Sequence, residues 1–368
     1  METFKEGLDL KTTEMETKRN STTEVLRIVA MLMIVISHYS VHGVIDYSKV
    51  DNPVNFLFLN MMTLGNIGVH IFILLFGYYS VSHEKIKWRR AFLLWAQVFT
   101  YSVLIFAFSF ISGQSNLSIG DIFRSIFPTI FSKYWFFTTY IVFFMLTPFV
   151  NKLLQNLSQK QYMALLGALL IFWSIIPTFT KQLLSGSDFT LFLTLYTLGG
   201  YFKLYPQNIL NSKKCGFLMT VISSFLLFGS SVIFFMLKKI HPVFDGRETF
   251  FYHKNSVLTI FFALGLLLVA INGKRRYNKV VNWTATCTFG VYLLHDNDLI
   301  RSMIWEKLFR ISNFINSPFL IGHCMLTVII VFILGIVIES VRKITLEKLE
   351  IICIEWFAKK TRKLKLRK

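Results

Sequence analysis

VLRIVAMLMIVISHYSVHG occupies residues 25–43. It is apolar over the length of about 20 residues that a bilayer-spanning helix needs. Yet it carries Arg27 near its start, His38 well inside and His42 one turn later. Ionisable side chains in hydrocarbon cost free energy, so such residues are functional candidates by default. Arg27 and His38 are eleven positions apart. At about 100° per residue they return to nearly the same helix face, separated by roughly 16 Å along the axis. That face holds a cation at one end and imidazoles toward the other, with Met31, Ile34 and Val35 between them. Arginine suits an anionic group, phosphate above all, which it binds through two parallel hydrogen bonds. Imidazole suits removing a proton from an attacking hydroxyl, or attacking a thioester itself. Plainer readings stand beside these. Arg27 can snorkel to the interface as a topology anchor, His38 can be a structural hydrogen-bonding residue, and His42 can sit in the outer interface.

The rest of the chain fits a polytopic membrane protein. Of 368 residues 54% are hydrophobic and 16% charged, and Phe alone supplies 39; this balance excludes an ordinary soluble domain. The formal net charge of +19 would suggest nucleic acid in a soluble domain. Here the basic residues flank apolar runs, so membrane topology explains them and no nucleic-acid partner is expected. Ten spans are predicted, at residues 25–44, 63–81, 91–112, 134–151, 161–180, 189–203, 216–237, 255–272, 281–296 and 319–339. With both termini cytoplasmic, the inner segments and span ends hold 28 Lys+Arg and the outer ones 11, all 39 of them. The positive-inside rule favours that orientation. Three regions result: a polar cytoplasmic segment at 1–24, the ten-helix membrane domain at 25–340 and a basic cytoplasmic tail at 341–368. The polar start argues against a cleaved signal peptide. The tail reads as a surface helix held by anionic membrane lipids, and residues 299–311 as an amphipathic helix lying in the interface. The four cysteines, Cys215, Cys287, Cys324 and Cys353, support neither a disulfide framework nor a zinc site, and no ligand set for another metal is legible.

Further clusters carry chemistry. Arg89 and Arg90 lie in WRRAF after the second span. With Arg27 they supply what a donor with several phosphates needs, although adjacent arginines there are also ordinary positive-inside residues. GNIGVHIFILLFGYYS (65–80) offers Gly65, Gly68 and Gly77 for close helix approach, and a buried His70. KYWFFTTYIVFFMLTP (133–148) places Tyr134 and Trp135 where an outer aromatic belt is expected and Pro148 where a kink ends the span. TFGVYLLHDND (288–298) stops its apolar run at His295, followed by Asp296 and Asp298. That end can orient a sugar hydroxyl or simply cap the helix.

Taken together, these residues resemble the membrane-bound acyltransferase-3 family. The marks are Arg27 and His38 with ten residues between them, Gly68 to Tyr78 in the second span, the pair Arg89 and Arg90, YWFFTTYIVFFMLTP, and FGVYLLH at 289–295. GVYLLHDN is similar to the branch that acetylates bacterial capsular or exopolysaccharides. Phe76 departs from the pattern, since many members carry Ser before Gly-Tyr. The resemblance implies an all-α fold in the bacterial cytoplasmic membrane. It also implies acyl transfer, acetyl first among the acyl groups, from cytoplasmic acyl-CoA to a carbohydrate hydroxyl of a surface or lipid-linked polysaccharide. Acyl-CoA is then a co-substrate, with no cofactor permanently bound and no metal. The catalytic candidate is His38, the donor candidates are Arg27, Arg89 and Arg90, and the acceptor candidates are Trp135, Tyr140, His295 and Asp296. The competing class is a transporter or flippase for a lipid-linked saccharide. Coupled carriers place a carboxylate near the midplane, whereas every Asp and Glu here is expected in a loop or near a span's end.

Overall fold

The computed structural model describes residues 19–365 except 45, 114–117 and 182–187, with side chains to residue 356. Most of the predicted polar segment and the last residues of the tail lie outside the described residues. Among those described, all regular structure is helical. In chain order the helices are α1 (Ser21–Gly43), α2 (Pro53–Met61), α3 (Gly65–Ser80), α4 (Trp88–Ile111), α5 (Ile119–Ile126), α6 (Trp135–Asn156), α7 (Gln159–Thr180), α8 (Asp188–Leu204), α9 (Lys213–Leu237), α10 (Val257–Ile271), α11 (Lys279–His295), α12 (Leu320–Thr345) and α13 (Glu347–Lys365).

A helix stands at each of the ten predicted spans. Seven helical stretches are long and apolar enough to cross a bilayer, which makes the chain a multi-pass membrane protein. The count of ten needs three more, and those are short: α8, α10 and α11 have 17, 15 and 17 residues. They are also the enclosed ones. Almost every residue of α8 from Leu191 to Phe202 is buried, as is most of α10. The long helices around them turn large apolar side chains outward, among them Phe110, Phe149 and Phe225. Helix α1 packs against α3, α10, α11 and α12, so the helix with Arg27 and His38 lies at the centre of the bundle.

Local chemistry fixes where α1 begins. The Asn20 side chain accepts from Thr22 N, filling one of the donors a helix start leaves open. Ser21 then bonds Asn282 Oδ1 at 2.8 Å and Thr22 bonds the Lys274 carbonyl at 2.7 Å. The helix therefore starts four residues before the predicted boundary. Helix α6 passes through Pro148 and continues to Asn156, beyond the predicted end at 151. Residues 299–311 differ more. They form a π-helical turn at Met303–Leu308 that buries Ile304 and Trp305, with Ile300 and Ile311 also buried. One side of this segment is packed into the protein, while Ser302, Glu306, Lys307, Leu308 and Arg310 stay exposed.

Gly68 and Gly77 do what their positions predict. A Cβ on Gly68 would run into the Ala30 carbonyl oxygen of α1, and one on Gly77 into the Tyr196 carbonyl oxygen of α8. Both neighbours are backbone and cannot turn aside. Gly77→Val is therefore expected to lower stability by at least ~1–3 kcal/mol. Gly229→Val, where nothing stands within 4 Å, serves as the comparison and loses far less. Thermal unfolding of both variants in detergent checks this.

A buried ionic group ties the far end of α12 to its neighbours. Glu339 is fully buried. It receives two hydrogen bonds from Arg342, at 2.9 and 2.8 Å, one from Gln97 at 3.0 Å and one from Tyr101 at 2.8 Å. Arg342 also donates to Glu350 at 2.6 Å, and Thr100 bonds the same carboxylate at 2.8 Å. Glu339 lies at the predicted span's end, but α12 runs six residues further, which encloses the carboxylate among α4, α12 and α13.

Candidate active site

A slender cavity runs beside α1. Arg27, Met31, Ile34 and His38 line it from α1, Tyr79 and Ser80 from α3, Arg90 and Leu94 from α4, Trp135 and Tyr140 from α6, and Tyr292 and Asp296 from α11 and its end. The helical face read from the sequence is thus one wall of this space. With Arg27 and His38 roughly 16 Å apart along the axis, the two ends of the cavity differ in character.

At the Arg27 end the cavity meets a wider cationic vestibule. Arg27, Tyr79 and Arg90 line both spaces, and Arg19, Lys87, Lys203 and Arg275 join them in the vestibule. Six basic side chains thus surround one mouth, with Glu24 as the acidic counterpart in the same lining. Arg27 is held loosely: its nearest carboxylate oxygen, on Glu24, is 3.8 Å away, and its Nε is buried without a hydrogen-bond partner among the described residues. The guanidinium group also lies 5.9 Å from the centre of the Tyr79 ring. A cation with spare donors suits an incoming anion.

At the other end, His38 belongs to a cluster of titratable groups. Its Nδ1 is 3.0 Å from His295 Nε2 and 3.7 Å from Asp296 Oδ1. The same carboxylate oxygen is 3.6 Å from His42 Nε2 and 3.6 Å from Arg301 Nη1, and Arg301 Nη1 is 3.4 Å from His42 Nε2. The partners decide the tautomers. His295 Nδ1 lies 2.6 Å from the Val291 carbonyl oxygen, which can only accept, so the His295 proton is on Nδ1 and Nε2 is an acceptor. His38 Nδ1 must then be the donor of the 3.0 Å contact. That leaves the lone pair of a neutral His38 on Nε2, for which no hydrogen bond exists among the described residues.

Packing holds this arrangement. Trp305 is fully buried and meets the His295 ring edge to face, with centroids 6.2 Å apart at 90°. Asn297, also fully buried, donates to Tyr134 Oη at 2.6 Å, and that hydroxyl donates to the Leu293 carbonyl at 3.0 Å. Tyr134 therefore pins the end of α11. Next to it, Lys133 is 3.5 Å from Asp298 and bonds Ser125 at 3.0 Å. Burial pushes the Lys133 ammonium below the ordinary lysine range, and Asp298 opposes that shift. In the middle of the cavity Phe76 sits in an aromatic group, 4.7 Å from Tyr140 and 5.0 Å from Tyr196 between ring centres. The position where many members of the family this chain resembles carry Ser thus supplies apolar wall.

The structure brings together Arg27, Arg90, His38, Trp135, Tyr140 and Asp296 on one cavity, and places His295 behind His38. Arg89 stands apart. Its guanidinium is 4.0 Å from Glu355 and mostly exposed, and it lines neither space. Sequence reasoning missed Lys203, Arg275 and Arg301. It set His42 lower than the geometry does and named no metal-binding set, although His38, His42 and Asp296 present ligand atoms within 4.8 Å of one another. The signal for His42 was present in its i,i+4 spacing from His38; the others come from segments far away in the chain.

These features define a multi-pass helical membrane protein with an imidazole at one end of a largely apolar passage and a ring of cations at the other. The family described as Acyltransferase domain matches residues 21–337, and the chain belongs to this acyltransferase-3 family. It is a membrane acyltransferase. No curated protein and no solved structure matches the chain.

Proposed function

We propose that the protein transfers an acyl group, acetyl most simply, from cytoplasmic acyl-CoA to a carbohydrate hydroxyl of a surface or lipid-linked polysaccharide. The observation that carries this reading is the single cavity joining the cationic vestibule to His38. The Lys+Arg asymmetry supports a cytoplasmic vestibule. There the CoA phosphates bind Arg27 and Arg90, with Lys203 and Arg275 beside them. The acyl-bearing arm threads past Phe76 and Tyr140 and brings the thioester carbonyl toward His38.

The acceptor approaches from the His42 end, with Trp135 as a face for the sugar ring. His38 Nε2 takes the hydroxyl proton as the sugar oxygen bonds to the thioester carbon. His295 keeps the ring oriented, and the Asp296 carboxylate stabilises the imidazolium. The tetrahedral intermediate collapses by breaking the C–S bond. The CoA thiolate leaves and takes the proton back from His38, so ester and free CoA are the products and the imidazole is regenerated.

Donor binding is tested apart from turnover. Arg27→Gln and Arg90→Gln should each weaken acyl-CoA binding by roughly 1.5–3 kcal/mol, the range for a hydrogen bond to a charged group. Arg89→Gln should change it far less. Calorimetric titration of the purified variants with acetyl-CoA measures this, and equal affinity in wild type and both cavity variants would remove the donor assignment.

A further inference from the structure

We infer that His38, His42 and Asp296 form an inhibitory site for a divalent d-block cation such as Zn²⁺, which turns the catalytic imidazole off by moving its proton from one ring nitrogen to the other. The inhibitory half rests on the reading of His38 as the base; the metal site does not.

The donor set comes first. His38 and His42 are one turn apart on α1, so both rings lie on one helix face, with centroids 4.6 Å apart. The carboxylate that ends α11 completes a group of His38 Nδ1, His42 Nε2 and Asp296 Oδ1, all within 4.8 Å of one another. Two imidazoles and a carboxylate form a common zinc set, with a fourth position left to water. Tetrahedral ligands at Zn–N and Zn–O distances of about 2.0–2.1 Å stand about 3.3 Å from each other. The two edges to Asp296 are 3.7 and 3.6 Å and need to close by only a few tenths of an ångström; the His38–His42 edge, within 4.8 Å, closes by up to ~1.5 Å as the His42 ring turns toward the ion. His295 Nε2, 3.0 Å from the same His38 nitrogen, then accepts a hydrogen bond from the metal-bound water. Hard cations such as Mg²⁺ prefer all-oxygen surroundings and are not taken.

The place is already shaped for positive charge. Arg301 Nη1 stands 3.6 Å from Asp296 Oδ1 and 3.4 Å from His42 Nε2. Its side chain is 36% exposed, so it can turn toward solvent and yield the position. Guanidinium and metal ion therefore compete for the same ligands.

The consequence for His38 follows from proton accounting. In the metal-free site the proton is on Nδ1 and the lone pair on Nε2. A metal ion binding through Nδ1 requires that nitrogen's lone pair, so the proton moves to Nε2 and none is lost. The atom that serves as the base in the proposed transfer then carries a hydrogen and cannot accept the one on the sugar hydroxyl.

The experiment uses the full-length protein, purified in detergent and stripped of metal. Co²⁺ is the probe, because its visible absorption reports four-coordinate nitrogen and oxygen ligation. One Co²⁺ per chain is expected, displaced by Zn²⁺ and not by Mg²⁺. His42→Gln and Asp296→Asn should weaken binding at least tenfold. Arg301→Gln should move it the other way, tightening it several-fold, which a misfolded site cannot do. In acetyl transfer, Zn²⁺ should inhibit wild type at the concentration that displaces Co²⁺ and inhibit His42→Gln only at tenfold more. The titration needs no turnover, so it decides the metal site even if acyl transfer by this chain were not found. No Co²⁺ spectrum at millimolar metal, or equal binding in wild type, His42→Gln and Asp296→Asn, overturns the site. An undiminished transfer rate with the site filled overturns the switch.

Discussion

His38→Gln lowers acyl transfer by 10²–10⁴-fold, the usual contribution of a positioned general base, while the protein still inserts and still binds acyl-CoA. The reason is chemical. A sugar hydroxyl is almost entirely un-ionised at neutral pH, and its attack on a thioester needs somewhere for the proton to go. Glutamine keeps a donor toward His295 and a polar group toward the cavity, so it preserves the hydrogen bond of 3.0 Å. It has no lone pair basic enough to accept a proton near pH 7. His38→Ala should be equally inactive. If His38→Gln retains most of its rate, His38 is a structural hydrogen-bonding residue and His295 becomes the base to test. Acetate trapped covalently on the wild-type imidazole would replace the base by a two-step transfer through an acyl-histidine. Initial rates with labelled acetyl-CoA, alongside the calorimetric titration of the same preparation, separate these outcomes.

Arg342→Met should cost ~3–5 kcal/mol of stability, the usual result of removing one partner from a buried ion pair. Arg342 supplies two of the hydrogen bonds that Glu339 accepts and links it to Glu350. Without it, a fully buried carboxylate keeps only Gln97 and Tyr101 as donors. Pairing the change with Glu339→Gln removes the stranded charge, so the double variant should recover much of the loss. Unfolding in detergent measures all three. A single variant as stable as wild type would show that water reaches Glu339 and that the group does not lock α4, α12 and α13 together.

What could be read in the sequence was what a single element determines. The face carrying Arg27 and His38 follows from helical period alone, and the cavity wall has that face. The close approaches at Gly68 and Gly77 were equally local. Arg89 and Arg90 show where local reading stops. Neighbours on a helix point about 100° apart, so only one of them can face a cavity beside α4, and nothing in the sequence says which. Trp135 looked like an interfacial belt residue because the other walls of the cavity it lines, from α1, α3 and α11, are distant in the chain. The same holds for Arg301, which reaches His42 across 259 positions, and for Lys203 and Arg275, which looked like ordinary topology charges. Residues 299–311 had the pattern of a surface helix, yet the His295 ring provides a partner for Trp305 that no periodicity reveals. The short helices α8, α10 and α11 were found as apolar runs. Their enclosure by longer helices is a property of the assembled bundle.

The most direct measurement reconstitutes the purified protein in liposomes with acetyl-CoA labelled in its acyl group and a polysaccharide acceptor, and follows the label. The account predicts that label appears in ester linkage on the acceptor with wild-type protein and does not with His38→Gln at equal acyl-CoA occupancy. Label moving to the acceptor at the same rate in both, or in neither, would contradict it.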